Sequence, residues 1–306
     1  MHPALSVIVF TTVSGLGYGL AFVLGLGLLD AAAWPTRIAH VLALAMISAG
    51  LLSSTLHLGN PQRAWRAFSQ WRSSWLSREG VLAVATFLPL TVGAWMSVIE
   101  GRYLPLWGLL GAAGSLATVF STAMIYTSLK SVQAWHTPLT VAGYLSFSAA
   151  GGLLLATVAA YAAGSGVAPA LALAGVVALA AAWSFKGAWW RRQRQMAPLS
   201  TPESATGLGG IGRVRLHERP HATENYLTRE MGFRVARKHA AKLERLALGA
   251  GGIVPVLLLA AAAIAGGGLA LALSLAAVPF HAAGILAERW LFFATARHAV
   301  MNYYGR

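Results

Sequence analysis

Apolar residues in this chain fall in long unbroken runs, without the alternation of strands or the heptads of coiled coils. A helix needs roughly 20 apolar residues to cross a bilayer, and eight runs reach that length. Because backbone groups in lipid must be hydrogen-bonded within their own segment, each run predicts a transmembrane helix. We therefore predict an all-α integral membrane protein, a bundle of eight transmembrane helices over about 5–29, 38–57, 79–99, 106–126, 139–163, 168–186, 246–265 and 269–292.

The first span and the last two are the least certain in their bounds. Only Gly266, Gly267 and Gly268 separate the last two, so an even total depends on a turn at those glycines. The first run is too long for a secretory signal and has neither a basic start nor a cleavage site. We expect it to remain as a span.

Composition agrees with a membrane protein, since 57% of the residues are hydrophobic and only 10% are charged. The chain has no cysteine. It therefore has no thiolates for an iron–sulfur cluster, and we expect any such centre to belong to a partner chain.

The net charge of +14 would suit nucleic acid binding, but its distribution argues against that partner. With eight spans drawn, 21 of the 23 Lys and Arg residues fall on the face that bears Met1, here called side A. Only Arg37 and Arg102 fall on the opposite face, side B. By the positive-inside rule we expect a multi-pass protein of the bacterial inner membrane, with side A and both termini in the cytoplasm.

The second loop, on side A, predicts a short helix lying in the membrane interface. Asn60 would cap this helix and Pro61 would begin it. Its apolar positions would share one face, namely Ala64, Trp65, Phe68, Trp71 and Trp75. A plain tryptophan anchor with no further role explains the aromatic residues equally well.

The sixth loop, 187–245, is the largest predicted extramembrane piece and is strongly basic. Its middle is irregular, and from about 226 to 245 the spacing predicts an amphipathic helix. Such a helix would rest on anionic lipid headgroups, dock a soluble partner, or do both. The candidate docking residues are Arg66, Arg213, Arg215, Arg234, Arg237 and Lys238.

Ionisable groups within membrane spans mark functional sites by default. In this chain they collect at the side A ends of the helices, where we predict a quinone site formed by His57, Arg78, Glu79, Asn60 and Arg63. A quinone needs an apolar slot, hydrogen-bond donors for its oxygens and a group that exchanges protons with water. His57 would donate and Glu79 would move the proton.

Structural roles for these residues compete with that interpretation. Ser77 would cap the third helix and place Glu79 in its first turn, or Glu79 would pair with Arg78 or Arg63. Glu288 and Arg289 are expected to form a structural pair.

A b-type haem would need axial histidines at matched depth on facing helices. His40 lies at the side B end, His57 at the side A end and His281 near mid-membrane, so no pair matches and we expect no haem. We expect His281 to bond the Leu275 carbonyl, which Pro279 leaves without its helical donor.

The stretches His57-Leu-Gly-Asn-Pro-Gln-Arg-Ala-Trp65 and Leu76-Ser-Arg-Glu79 resemble the signature of the dimethyl sulfoxide reductase anchor subunit family. The likeness extends over the eight-span layout. Two further stretches, 232–240 and Glu288-Arg-Trp-Leu-Phe-Phe-Ala-Thr-Ala-Arg-His298, resemble the branch that includes the anchor of cytoplasmic sulfite dehydrogenase.

The resemblance implies a complex of three subunits, namely a molybdopterin catalytic subunit, an electron-transfer subunit with four iron–sulfur clusters, and this haem-free anchor. It also implies that the residues matching the family's histidine and glutamate, His57 and Glu79, bind quinone, either ubiquinone or menaquinone. A cytoplasmic side A favours sulfite oxidation with quinone reduction over a sulfoxide reductase that oxidises quinol. A transporter or ion pump, or an anchor that never touches quinone, stays as an alternative.

Overall fold

The structure is a computed structural model that describes residues 3–56, 60–198, 200–215, 217–218, 223, 225, 231 and 235–304. Within these residues the chain is helical, and eight helices are long and apolar enough to cross a membrane, which confirms the predicted bundle. The spans are α1 (Leu5–Gly25), α2 (Trp34–Thr55), α3 (Trp75–Val98), α4 (Pro105–Thr127), α5 (Pro138–Ala162), α6 (Ala168–Gln195), a seventh span (His239–Ala265) and α10 (Gly267–Ala294).

Two spans differ from the predicted bounds. Helix α3 begins at Trp75, four residues before the predicted start at Glu79. Helix α6 continues through Lys186 to Gln195, so that lysine lies inside the bundle and not at the start of a loop. The prediction stopped at Lys186 because a charge usually marks the edge of the membrane.

Helix α1 is the central helix of the bundle. It packs against α2, α4, α5 and α10, and 72% of its most apolar window is buried, against 22% for α2. The α1–α5 contact is so close that a Cβ atom on Gly19 would lie 1.8 Å from the Ser148 carbonyl oxygen. Small residues at such crossings let backbones approach closely, which drives helix association in lipid.

The seventh span is the continuation of a basic helix. Helix α8 (Val235–Leu248) runs through a π-helical turn (Gly249–Ile253) into α9 (Val254–Ala265). The π turn packs on α10, where a Cβ atom on Gly284 would lie 2.1 Å from the Gly251 Cα. The predicted helix from 226 is thus seen from Val235 onward, and 226–230 and 232–234, including Arg234, lie outside the described residues.

The carbonyl of Gly251 in the π turn accepts two side-chain hydrogen bonds. Trp183 Nε1 donates to it at 3.0 Å, and His281 Nδ1 lies 3.1 Å away. The predicted bond from His281 to Leu275 is therefore wrong. A π turn frees carbonyls from the helical ladder, and one of them captures this histidine from the neighbouring helix.

Helices α9 and α10 form a hairpin at the triple glycine. Gly266 and Gly267 have φ of 67° and 55°, in the left-handed region that side chains disfavour. The predicted division between the seventh and eighth spans is confirmed.

The second loop contains a 3-10 helix, Pro61–Phe68, where the sequence predicted an α-helix capped by Asn60. The Asn60 side chain makes no capping hydrogen bond, so that prediction is wrong. Trp65 and Trp71 are exposed, with Arg66 stacked on Trp65. The loop still lies against the start of α3.

Candidate functional site

Glu79 is the fifth residue of α3 and is 5% exposed, although it lies near the side A end of the span. Helix α4 runs antiparallel to α3, so its last turns reach the same depth. From there the hydroxyl of Thr122 forms a very short hydrogen bond with Glu79 Oε1. In the described part of the chain no basic group forms an ion pair with this carboxyl.

Thr122 accommodates either protonation state of Glu79. Its Oγ1 lies 3.1 Å from the Thr118 carbonyl as well as beside the carboxyl, yet a hydroxyl has only one proton. When Glu79 is ionised, Thr122 donates to it. When Glu79 is protonated, the acid donates to Thr122, whose own proton then goes to Thr118.

The structural roles considered for these residues are contradicted. Ser74, not Ser77, precedes the first turn of α3, and it makes no side-chain cap. Glu79 therefore lies beyond that turn. Arg78 turns away from Glu79: its Nη2 donates to the Arg72 carbonyl at 2.7 Å, and its guanidinium lies 4.3 Å from the Trp75 ring centroid.

The other predicted quinone ligands lie around the second loop. Asn60 and Arg63 are exposed near the 3-10 helix, and neither has a described contact with Glu79. His57 lies outside the described residues. The structure thus describes Glu79, Arg78, Asn60 and Arg63 at one end of the bundle, and of these four Glu79 alone is directed into its interior.

The predicted docking residues do not cluster as a single described surface. Arg66, Arg213 and Arg215 are exposed. Arg237 and Lys238 lie in α8. Their grouping as a docking surface stays a prediction.

A second buried charge cluster joins α6 to α10. Lys186 Nζ lies 2.6 Å from Glu288 Oε1, and Arg289 Nη1 lies 3.5 Å from Glu288 Oε2. All three side chains are at most 4% exposed. The predicted Glu288–Arg289 pair is therefore part of a three-residue network with one anion and two cations.

Aromatic faces surround the two cations of this network. Lys186 Nζ lies 3.8 Å from the Trp189 ring centroid, and Arg289 Cζ lies 3.8 Å from that of Tyr144. Rings that face a cation stabilise it when water is absent. The Tyr144 ring in turn stacks on that of Tyr126, near the end of α4.

Space remains between Glu79 and the charge network. A cavity of about 20 Å³ lies between α1, α4, α5 and α10, and its lining includes Thr12, Tyr18, Thr122, Tyr144 and Arg289. Glu79 reaches this cavity through Thr122. The buried carboxyl and the buried cations are therefore separated by one polar cavity.

A larger cleft of about 30 Å³ lies at the side B end. Its walls are mainly apolar, and His40 and Arg102 are the ionisable side chains among the lining groups that could bind an anion. Tyr103, which also lines it, donates its hydroxyl to the Gly25 carbonyl. The cleft has room for an apolar group, but its described lining includes no carboxyl.

The sequence did not reveal Thr122, Tyr126, Tyr144 or the inclusion of Lys186. Threonine and tyrosine occur often in spans, and nothing in the local pattern separates these from others. Lys186 did carry a signal, because it is followed by Trp189 and Trp190 in a pattern that continues the helix.

Comparison with known proteins gives two matches. The model of the family described as DMSO reductase anchor subunit (DmsC) matches residues 1–196. The C-type subunit of sulfite dehydrogenase from Allochromatium vinosum is 34% identical over 328 aligned positions, which cover 99% of this chain and 99% of that protein. No solved structure matches.

Proposed function

The chain belongs to the DMSO reductase anchor subunit family, and from that premise we propose that it binds quinone at the side A end of α3. In this role it is the membrane subunit that passes electrons between an iron–sulfur partner and the quinone pool. The chain supplies the quinone site, and the partners supply the metal centres.

The buried carboxyl of Glu79 carries this proposal. Reduction of a quinone takes two electrons and two protons, so a group that holds a proton must lie close to the quinone oxygens. Glu79 has a hydroxyl partner that fits both of its protonation states, and no cation among the described residues pairs with it to hold it permanently ionised. A purely structural carboxylate in a membrane span would need such a cation.

The surrounding residues have supporting roles in this proposal. Arg78 bonds the carbonyls of Trp71 and Arg72 and so holds the second loop over the mouth of the site. His57, Asn60 and Arg63 supply hydrogen-bond donors for the quinone from that loop.

The partners proposed are a four-cluster iron–sulfur subunit and a molybdopterin catalytic subunit. They would dock on side A, because electrons must arrive near Glu79. The basic residues proposed for this contact would attract an acidic partner surface; they are Arg66, Arg213, Arg215, Arg234, Arg237 and Lys238. We place side A on the cytoplasmic face of a bacterial inner membrane.

Sulfite oxidation coupled to quinone reduction is the reaction that we propose for the complex. It rests on the 34% identity to a sulfite dehydrogenase subunit over nearly the whole chain. Assaying the purified complex with sulfite plus quinone, and with quinol plus a sulfoxide, tests the reaction and its direction.

The test of the site is Glu79→Gln in the purified complex. We expect quinone-linked turnover to fall about 100-fold, as when a positioned proton carrier is lost. Sulfite oxidation with an artificial electron acceptor should remain unchanged, because that acceptor bypasses the quinone site.

Glu100→Gln is the matched control, since Glu100 is an exposed carboxylate just beyond α3 on side B. Full quinone turnover in Glu79→Gln, with the complex still assembled, would show that the chain is a passive anchor.

A further inference from the structure

The cavity between α1, α4, α5 and α10 has polar walls and polar atoms without partners. The Thr12 Oγ1, the Tyr18 and Tyr144 hydroxyls and Arg289 Nε have no hydrogen-bond partner in the described part of the chain. Each of these residues is at most 5% exposed. The Tyr18 hydroxyl lies near Thr118 and the Tyr144 hydroxyl near Tyr126, without hydrogen-bond geometry.

Unpartnered buried groups of this kind are commonly satisfied by internal water. A cavity needs roughly 10–15 Å³ of such space to hold one water molecule, which makes about three hydrogen bonds. The volume of about 20 Å³ meets that need. The polar atoms around the cavity supply enough donors and acceptors.

From these observations we propose that this cavity is a water-binding site that relays protons to Glu79. The ligand is one water molecule or a very short chain of water molecules. Thr122 joins the water to the carboxyl, because Thr122 both lines the cavity and bonds Glu79. The need for a returning proton rests on the proposed quinone function, whereas the water site itself does not.

The proton transfer breaks and forms only O–H bonds. After Glu79 has given its proton to a quinone oxygen, the Thr122 hydroxyl donates its proton to the carboxylate and receives one from the cavity water. That water is replenished from the aqueous phase of side A. Thr11 and Thr12 in the lining lie in the second turn of α1, at that end of the bundle.

The buried charges favour a returning proton at this stage of the cycle. A lone cation such as Arg289 would repel a proton. Here Lys186 and Arg289 are balanced by Glu288 and by ionised Glu79, so these four buried groups sum to zero charge. Arg289, which lines the cavity, therefore faces a region that gains one positive charge only when Glu79 is protonated again.

Hydrogen–deuterium exchange of the Glu79 carboxyl tests the relay without any quinone. The probe is the infrared carboxylic acid band of the purified full chain in nanodiscs, assigned by its loss in Glu79→Gln. On transfer to D₂O we expect the double variant Thr12→Val, Tyr144→Phe to exchange at least about tenfold more slowly than wild type, because each lost hydrogen bond raises the barrier.

The matched control is Thr157→Val, Tyr161→Phe, the same two changes on α5 away from the cavity. Thr157 bonds the Leu153 carbonyl and Tyr161 bonds that of Ala262, and exchange should keep the wild-type rate. If the double variant does not fold, the single variant Thr12→Val gives the same test with a smaller slowing.

Wild-type exchange rates in the folded cavity variants would overturn the relay, since Glu79 would then reach water directly past the second loop. This result leaves the proposed function standing, because that function needs only an exchangeable Glu79. Slowed exchange together with full quinone turnover in Glu79→Gln would do the reverse, supporting the relay and removing the quinone role.

Discussion

The two ends of the bundle both leave space between their helices, but they line it with different chemistry. The side A cavity has hydroxyls and Arg289 in its walls, and Glu79 is one hydrogen bond away. The side B cleft is larger but mainly apolar, with His40 and Arg102 at its edge. The size of an opening therefore does not locate proton chemistry in this bundle, whereas buried groups that exchange protons do.

The side A charge network gives the largest effect by which this contrast can be tested. Glu288→Gln would leave two buried cations unpaired, and we expect the free energy of unfolding to fall by about 3–5 kcal/mol. Lys186→Met should cost less, because Glu288 keeps Arg289 as its partner. Unfolding in mixed micelles with increasing SDS measures both.

The exposed pair of Arg194 and Glu244 serves as the control for the buried network, since Arg194 is 62% exposed. Arg194→Gln should change stability by about 0–1 kcal/mol. If Glu288→Gln costs no more than that, the buried network is not what distinguishes side A.

Helix packing gives the next largest effect and belongs to neither end. Gly19→Ala would place its Cβ against the Ser148 carbonyl, and we expect a loss of about 3 kcal/mol from overpacking. Gly143→Ala, on α5 where a Cβ meets nothing within 4 Å, is the control. Equal stability of the two variants in the SDS titration would contradict the close α1–α5 crossing.

The hydroxyl beside Glu79 sharpens the comparison at the level of activity. Thr122→Val removes the only described partner of the carboxyl, and we expect quinone-linked turnover of the complex to fall about tenfold. Thr86→Val, deeper on α3 and bonded to Thr118, should have a smaller effect. An equal loss in both variants would mean that general polar packing, and not the link to Glu79, sets the rate.

The side B cleft gives the smallest expected effect. His40→Asn and Arg102→Gln should each change quinone-linked turnover by less than about twofold, as for most substitutions away from a functional group. A large loss of turnover with normal assembly would reverse the comparison and place the quinone at side B.

Much of the site was predictable as a location but not as a set of contacts. Glu79 stood out because a carboxylate within a span is rare, and its depth followed from the hydropathy pattern. Its partner Thr122 is 43 residues away on another helix, and no local pattern marks it. Lys186 was misplaced for a related reason, because its compensating anion lies on α10.

The sequence by itself determined the number of spans, their order and the uneven distribution of charge. These follow from it because lipid requires each segment to satisfy its own backbone and to be apolar along its own length. Only the tertiary structure decided which faces meet, and so placed Thr122 on Glu79, Lys186 on Glu288 and His281 on the Gly251 carbonyl. Those pairings depend on the rotation and depth of each helix, which are set by close packing between helices such as that of Gly19 against α5.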